Sequence, residues 1–430
     1  MNGLWRGETL ESSADARRPR PRVRECAEAH DRTPSGAGNA ADALLCKRFD
    51  DLRPFIAEEI PAAMQRIADS EAFDVLARYV FPDRDVDEVR RMIRAIRTTD
   101  EFQLRVMYYV NLQIIRRSIT RLTVDGLDAL DPAARYLFVS NHRDIMLDSS
   151  LLQYLLHEAG HRTTEITFGS NLMQGEPAIS IGRANKMFKV VRGSNVHDFL
   201  ADSRHLSEYI RHTLLEKRES IWIAQRNGRT KDGNDQTDRG IVKMFALSDR
   251  TDPVRAIRDL RIVPVAVSYQ WEPCDLLKTR ELYLSRDGRK YVKQPGEDLH
   301  SILTGILQPK GYVHFAIGRP LDNILSDAVE LRHANAFYRS VADEIDQQIH
   351  RNYRLFDNNF IAHDLRSGTS TYADRYTSEA RAAFEARMRQ MLQEIDGDPA
   401  TLKEIFLGIY ANPVENVTCR ESRPSEMNPT

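Results

Sequence analysis

Through the middle of the chain, short apolar runs alternate with stretches whose apolar residues recur every three or four positions. The runs at 135–140 (RYLFVS), 165–169 (EITFG), 221–225 (IWIAQ), 261–269 (RIVPVAVSY) and 312–318 (YVHFAIG) read as buried strands, because they are short, rich in β-branched and aromatic residues and bounded by polar or turn residues. Helical spacing lies between them, over 147–157 and 196–215. This alternation predicts an α/β core with a mostly buried sheet and flanking helices. Pro264 interrupts the fourth run, which predicts an edge strand, a bulge or a position lining a site.

Helical periodicity continues on both sides of this core. Before it, helices are expected over 58–68, 71–79, 85–97 and 102–119. After it, they are expected over 328–351, 378–395 and 400–410. The resulting division is a disordered segment at 1–45, a helical region at 46–121, the α/β domain at 122–321, a helical region at 322–419 and a disordered tail at 420–430. The run Arg17-Arg18-Pro19-Arg20-Pro21-Arg22 cannot enter a helix interior, which is one reason to read residues 1–45 as disordered. The 102–119 helix has two readings. It packs on the core, or it lies on anionic lipid with Arg105, Arg116 and Arg117 reaching for headgroups.

Charge narrows the function classes. The 61 Lys+Arg and 63 Asp+Glu leave a net charge of −2, without the basic excess expected of a nucleic-acid binder. Charged residues make up 29% and the hydrophobic set 41%, an ordinary globular balance. The uncharged apolar stretch Val106–Ile115 is too short to span a bilayer, which takes roughly 20 residues. The four cysteines, Cys26, Cys46, Cys274 and Cys419, have no C-x2-C spacing and suggest a reducing compartment.

The stretch with most chemistry is Asn141-His142-Arg143-Asp144-Ile145-Met146-Leu147-Asp148. A strand delivers an imidazole to a loop, and a helix begins just after it. Asp144 or Asp148 can accept the Nδ1 proton of His142, leaving Nε2 as a general base for an alcohol. Equally, His142 can be a turn residue and Asp144 a helix cap. A second cationic stretch runs from Gly182 to Gly193 and includes Arg183, Lys186, Lys189 and Arg192. The loop Arg226-Asn227-Gly228-Arg229-Thr230-Lys231 combines small residues with cations, which suits a phosphate monoester. His157-Glu158-Ala159-Gly160-His161 spells the H-E-x-x-H pattern of zinc hydrolases, but Gly160 is expected to end that helix. Cys274 has no partner nearby in sequence that would make it a nucleophile.

Taken in order, these blocks resemble the glycerolipid acyltransferases, which acylate glycerol 3-phosphate and lysophosphatidic acid, and in particular a bacterial branch whose first motif reads NHRD-I-x-L-D. The similarity covers about Leu122–Leu321. Its blocks are Asn141–Asp148 preceded by Thr123-Val124-Asp125-Gly126-Leu127, then Val191-Arg192-Gly193, then Gln225–Thr230, then Ile262-Val263-Pro264-Val265-Ala266-Val267. The resemblance implies a glycerophosphate acyltransferase-like fold with helical extensions and His142 as general base. An aspartate pairs with it: Asp148 first, Asp144 second. Arg192 and Arg229 hold the acceptor phosphate, within a substrate-binding set of Asn141, Arg143, Arg192, Gly228, Arg229, Thr230, Lys231 and Pro264.

The donor so implied is acyl-CoA or acyl carrier protein. The acceptor is a glycerol phosphate or another lyso-lipid or amino-lipid. No metal or cofactor takes part, and the place is the inner face of the cell membrane, peripherally attached from the cytoplasm. Two positions depart from the family pattern. Its H-x4-D spacing falls on Leu147, and its acidic residue in the third block falls on Arg226 or Asn227. These departures keep open a non-catalytic member that binds lipid or acyl carrier protein. A zinc hydrolase on His157 and His161 is a further reading.

Overall fold

The computed structural model describes residues 48–172, 175–190, 196–249, 251–321 and 334–421. The expected disorder at 1–45, Arg192 with its Val191–Gly193 block, and most of the tail at 420–430 lie outside these residues.

Seven strands form one sheet in the order β1-β7-β6-β2-β5-β3-β4. They are β1 (Ile119–Asp125), β2 (Leu137–Ser140), β3 (Glu165–Gly169), β4 (Met187–Val190), β5 (Ile221–Ala224), β6 (Ile262–Tyr269) and β7 (Gly311–Ile317). All neighbours run parallel except β6 and β7. The α/β class with flanking helices is therefore what the chain adopts.

Period-two alternation sorts the central strands onto two cores. Leu137, Val139, Ile221, Ile223 and Ile262 face one core, which the Val196–Leu215 and Ala334–Arg351 helices cover. Phe138, Trp222, Val263, Val265 and Val267 face the other, against the Leu147–Glu158 helix. The helices before β1 form their own cluster around Ile60, Phe73, Val89 and Phe102. In the 102–119 region, a π-helical stretch Gln103–Met107 leads into the Tyr108–Ser118 helix, with Phe102, Met107 and Ile114 turned inward and Arg105, Arg116 and Arg117 exposed.

Of the three alternatives that Pro264 left open, the edge strand is excluded. β6 sits between β7 and β2 with all eight residues buried. The proline is tolerated because of where its missing N–H points. A strand residue's N–H and C=O face the same neighbour, and the Pro264 carbonyl faces β7, accepting from Gly318 N at 2.8 Å. Pro264 lies one step beyond Val265↔Ile317, the last pair of the β6–β7 ladder, so its missing N–H removes at most one terminal bond and none from the β2–β6 ladder.

Three eleven-residue helices were not foreseen, Asp275–Ser285, Glu297–Leu307 and Asp357–Ser367, nor were the shorter Ala178–Ala184, Arg239–Phe245 and Pro253–Arg258. Another helix, Pro399–Glu421, runs well beyond the expected end at Tyr410 and contains Pro413. That proline frees the carbonyl of Ile409, four residues earlier. Gly233 packs against this same carbonyl with φ +78, where a Cβ would lie 2.2 Å from the oxygen.

Gly126 closes β1 with φ +87, and a Cβ there would lie 2.3 Å from the Ile317 carbonyl oxygen. Gly126→Ala is expected to lower the unfolding free energy by at least about 1–3 kcal/mol, from the backbone conformation alone. Urea unfolding of the purified variant checks this.

Candidate active site

β2 ends at Ser140, and the chain then turns through residues 141–146 before the Leu147–Glu158 helix starts. This turn absorbs the extra residue between His142 and Asp148. His142 Nδ1 lies 2.9 Å from Asp148 Oδ2. The same oxygen accepts from the backbone N–H of Arg143 at 2.6 Å and of Asp144 at 2.9 Å. The other oxygen, Oδ1, accepts from the Tyr269 hydroxyl at 2.7 Å. The carboxylate also sits in the first turn of its helix, at the positive end of the dipole. A carboxylate can only accept, so Nδ1 carries the proton and Nε2 is left as the basic nitrogen. The imidazole is held on its other side by Trp222, edge to face at 5.6 Å, and the indole N–H donates to Ser140 Oγ at 3.0 Å.

Asp144 does a different job. Its Oδ1 accepts from the backbone of Met146 and Leu147 at 2.9 and 2.8 Å, which ties the turn to the helix start. Its Oδ2 is buried with no hydrogen-bond partner among the described residues. Burial first and the Asp148 carboxylate second raise the Asp144 carboxyl above the usual range, with Arg229 opposing.

The third block folds over the same strand end. Thr230 N donates to the His142 carbonyl at 2.7 Å, and Gln225 N to that of Ser140 at 2.8 Å. Gly228 turns the loop with φ +75. His142, Arg226, Asn227, Gly228, Arg229 and Lys231 line one cleft of about 600 Å³, whose other walls mix apolar residues such as Phe168, Leu206, Trp222 and Met244 with polar ones that include Asp202, Asp232, Asp238 and Asp298. Lys231 is paired with Glu281. The Nη1 of Arg229 has no oxygen partner among the described residues.

Asn141, Arg143, Thr230 and Pro264 are buried rather than set on this cleft. Asn141 bridges β2 to Val267, accepting from its N–H at 2.7 Å and donating to its carbonyl at 3.0 Å. Arg143 donates to Asp235 at 3.0 and 2.7 Å and to Glu272 at 3.4 Å. Lys278 completes the group, reaching Glu272 at 2.5 Å and the Arg143 carbonyl at 2.7 Å. Tyr353 adds a hydroxyl on Asp235, and His350 bonds the Asp235 carbonyl at 2.7 Å. Burial is the largest influence and raises the Asp235 carboxyl, but the Arg143 guanidinium and the hydrogen bonds from Thr230, Tyr353 and Asn141 together outweigh it and hold the carboxyl below its usual range. None of Asp235, Glu272, Lys278 and Tyr269 was singled out from the sequence. Each is isolated in the chain from the motif it supports, and only Tyr269, at the end of an expected strand, carried any positional signal.

The H-E-x-x-H segment is broken at its middle. The helix ends at Glu158, Gly160 takes φ +81, and His161 N returns to the Leu156 carbonyl at 2.9 Å. His157 and His161 therefore do not share a helical face. Among the described residues, no group of three or more His, Cys, Asp or Glu side chains gathers as metal ligands would. Cys274 is buried, its thiol donating to the Ser301 carbonyl at 3.2 Å. Burial first and then Asp144 push that thiol up to about 11.

The acyltransferase family model matches residues 121–268, the stretch from β1 to β6 that carries this site. The domain built there makes the chain an acyl-transferring enzyme. Among solved structures, the chain is similar to the 1-acyl-sn-glycerophosphate (LPA) acyltransferase PlsC from Thermotoga maritima. The identity is 13% and the TM-score 0.32, over 70% of this chain and 100% of that one, a likeness on which nothing below depends. None of the curated proteins compared matches the chain.

Two predictions follow from the buried contacts. Tyr269→Phe removes a charge-assisted hydrogen bond worth about 1.5–3 kcal/mol. It should cut kcat about tenfold with KM little changed, as steady-state acyl transfer would read. Asp235→Ala leaves Arg143 underpaired and should cost about 3–5 kcal/mol in urea unfolding at neutral pH. Because the folded Asp235 value lies below the unfolded one, its contribution is complete above about pH 4 and is lost as pH falls through the lowered value. The gap between wild type and variant should therefore shrink in acid.

Proposed function

We propose that this chain moves a fatty acyl group from a thioester donor, acyl-CoA or acyl carrier protein, to the hydroxyl of a glycerol-phosphate acceptor such as glycerol 3-phosphate or 1-acylglycerol 3-phosphate. The observation that carries this reading is the His142–Asp148 pair at 2.9 Å, on a cleft that is also lined by two guanidinium groups and by apolar side chains. A phosphate on the acceptor suits Arg226 and Arg229, and an acyl chain suits the walls around Phe168, Leu206 and Met244. Arg192 belongs to the same proposal through its motif alone. The place of action is the inner membrane face. No helix among the described residues is long and apolar enough to cross a membrane.

In this mechanism Nε2 of His142 takes the acceptor's hydroxyl proton as the oxygen attacks the thioester carbonyl. The tetrahedral adduct collapses with loss of the thiolate, and the imidazolium returns its proton to that sulfur. Asp148 keeps the ring in register and offsets the positive charge that forms on it. Asn141, Arg143, Thr230 and Pro264 act in this reading by fixing the loops rather than by touching substrate. The acidic position of the family loop falls on Arg226 or Asn227, and a cation there in place of a carboxylate favours a strongly anionic headgroup.

The test is acyl transfer by purified protein from labelled acyl-CoA and acyl carrier protein to a panel of acceptors. His142→Ala should lower kcat by about 10²–10⁴. Arg229→Ala should raise KM for a phosphate-bearing acceptor by about 10–100-fold, the loss of a charged hydrogen bond. Turnover unaffected by His142→Ala would exclude the general-base role. An unchanged KM would remove Arg229 from the phosphate site.

A further inference from the structure

The Glu297–Leu307 helix is built inside out. Its buried residues are Ser301 and Gly305. A Cβ on Gly305 would lie 2.2 Å from Asp144 Oδ2, and the Ser301 carbonyl takes the Cys274 thiol. Small residues face inward because the helix presses directly on the turn that holds His142. Leucines occupy the opposite side: Leu299, Leu303 and Leu307 are 60%, 48% and 62% exposed. Their spacing of four makes one row about 12 Å long at 1.5 Å rise per residue. Just before the helix, Val292 is 68% exposed. A helix on a soluble surface shows the opposite arrangement, and contiguous exposed apolar area of this kind marks a contact surface.

We propose that this leucine row, with the basic segment preceding it, is the surface on which the chain lies against an anionic lipid bilayer. The proposal rests on the acyltransferase reading above and names where its lipid substrate enters. Charge identifies the partner. Arg289 and Lys290 are exposed, and no ion pair among the described residues involves either. The neighbouring carboxylates are already engaged. Asp287 pairs with Arg286 at 3.5 Å, Glu297 accepts from Tyr291 at 2.8 Å, and Asp298 pairs with Lys293 at 2.5 Å. Over 286–298 the four cations outnumber the three carboxylates by one, and Arg289 and Lys290 are the two left without an ion pair among the described residues, as contact with lipid phosphates requires. Position agrees: Lys293 and Asp298, from the same segment, line the cleft that contains His142. A lyso-lipid leaving the bilayer here reaches the imidazole without crossing open water. An acidic carrier protein would satisfy the cations, but a row of bare leucines fits hydrocarbon. The alternative surface on the 102–119 helix turns Phe102, Met107 and Ile114 into the core and shows Leu104 and Tyr109 at only 37% and 36%, a smaller apolar face than the leucine row.

Vesicle sedimentation at low salt tests this, using phosphatidylcholine alone and phosphatidylcholine mixed with phosphatidylglycerol. Wild type should bind the mixed vesicles. The L299S/L303S/L307S variant, altered only at exposed positions, should bind at least about tenfold more weakly. R289E/K290E should lose the preference for anionic over neutral vesicles. Tryptophan fluorescence of Leu303→Trp should be quenched by brominated lipid. With a short-chain, water-soluble acceptor the triple variant should turn over like wild type, while its rate on vesicle-borne acceptor falls with its binding. If wild type binds vesicles through the leucines but acylates nothing, the proposed function fails and the surface stands. The surface proposal is overturned if the triple variant binds as wild type does, if binding is lost only in R116E/R117E, or if the leucines matter for an acidic carrier protein and not for vesicles.

Discussion

One buried carboxylate organises the catalytic end of this molecule. Asp148 gathers an imidazole, two backbone N–H groups and a tyrosine hydroxyl onto its two oxygens. Removing such a group from water costs several kcal/mol unless donors replace the lost hydration, and here four donors do so. Those donors come from the turn after β2 and from the end of β6. The carboxylate therefore fixes the turn's shape as well as the imidazole's orientation, and neither can shift without leaving a charge unsatisfied.

A second set of buried charges holds that turn from behind. Arg143 follows His142 directly, yet its side chain runs inward to Asp235 and Glu272 while Lys278 grips its carbonyl. Through Asp235 the group also meets Tyr353 and His350, and through Glu272 N the hydroxyl of Tyr410 at 3.1 Å. The C-terminal helices are thus wired to the turn by polar contacts and are part of the scaffold that aims His142. Buried pairs like these contribute little net stability compared with apolar packing, but breaking one is costly, which makes them good at enforcing a single arrangement.

Much of this could be read from the chain. β2, β3, β5, β6 and β7 were legible because a buried strand leaves a short apolar run, and the Val196–Leu215 helix because its apolar face is wide. β1 and β4 were missed because they are the two edges of the sheet. An edge tolerates polar residues on its exposed side, so ITRLTVD and MFKV show no clear pattern. The three longer missed helices share another cause. Asp275–Ser285 buries Asp275, Lys278 and Thr279, Glu297–Leu307 buries Ser301 and Gly305, and Asp357–Ser367 buries Asn358, Asn359 and Asp364. The first two turn mostly polar or small residues inward because they meet loops and charges. Asp357–Ser367 mixes its buried polar residues with Phe360, Ile361 and Ala362, the last two in the C-terminal apolar cluster, so in all three the signal that periodicity relies on is blurred. The site followed the same division. His142, Asp148 and the third loop stood in local motifs, whereas Tyr269, Asp235, Glu272 and Lys278 reach the site only through the fold.

The central claim is that Asp148 holds the proton on Nδ1 and leaves Nε2 of His142 free toward the cleft. Nitrogen-15 spectroscopy of the histidine side chains at neutral pH reads this directly. The account predicts a His142 signal with a protonated Nδ1 and a bare Nε2, and a slowly exchanging, downfield Nδ1 proton that disappears in Asp148→Asn. A His142 ring protonated on Nε2 and bare on Nδ1, or one whose signals are indifferent to Asp148→Asn, would contradict it.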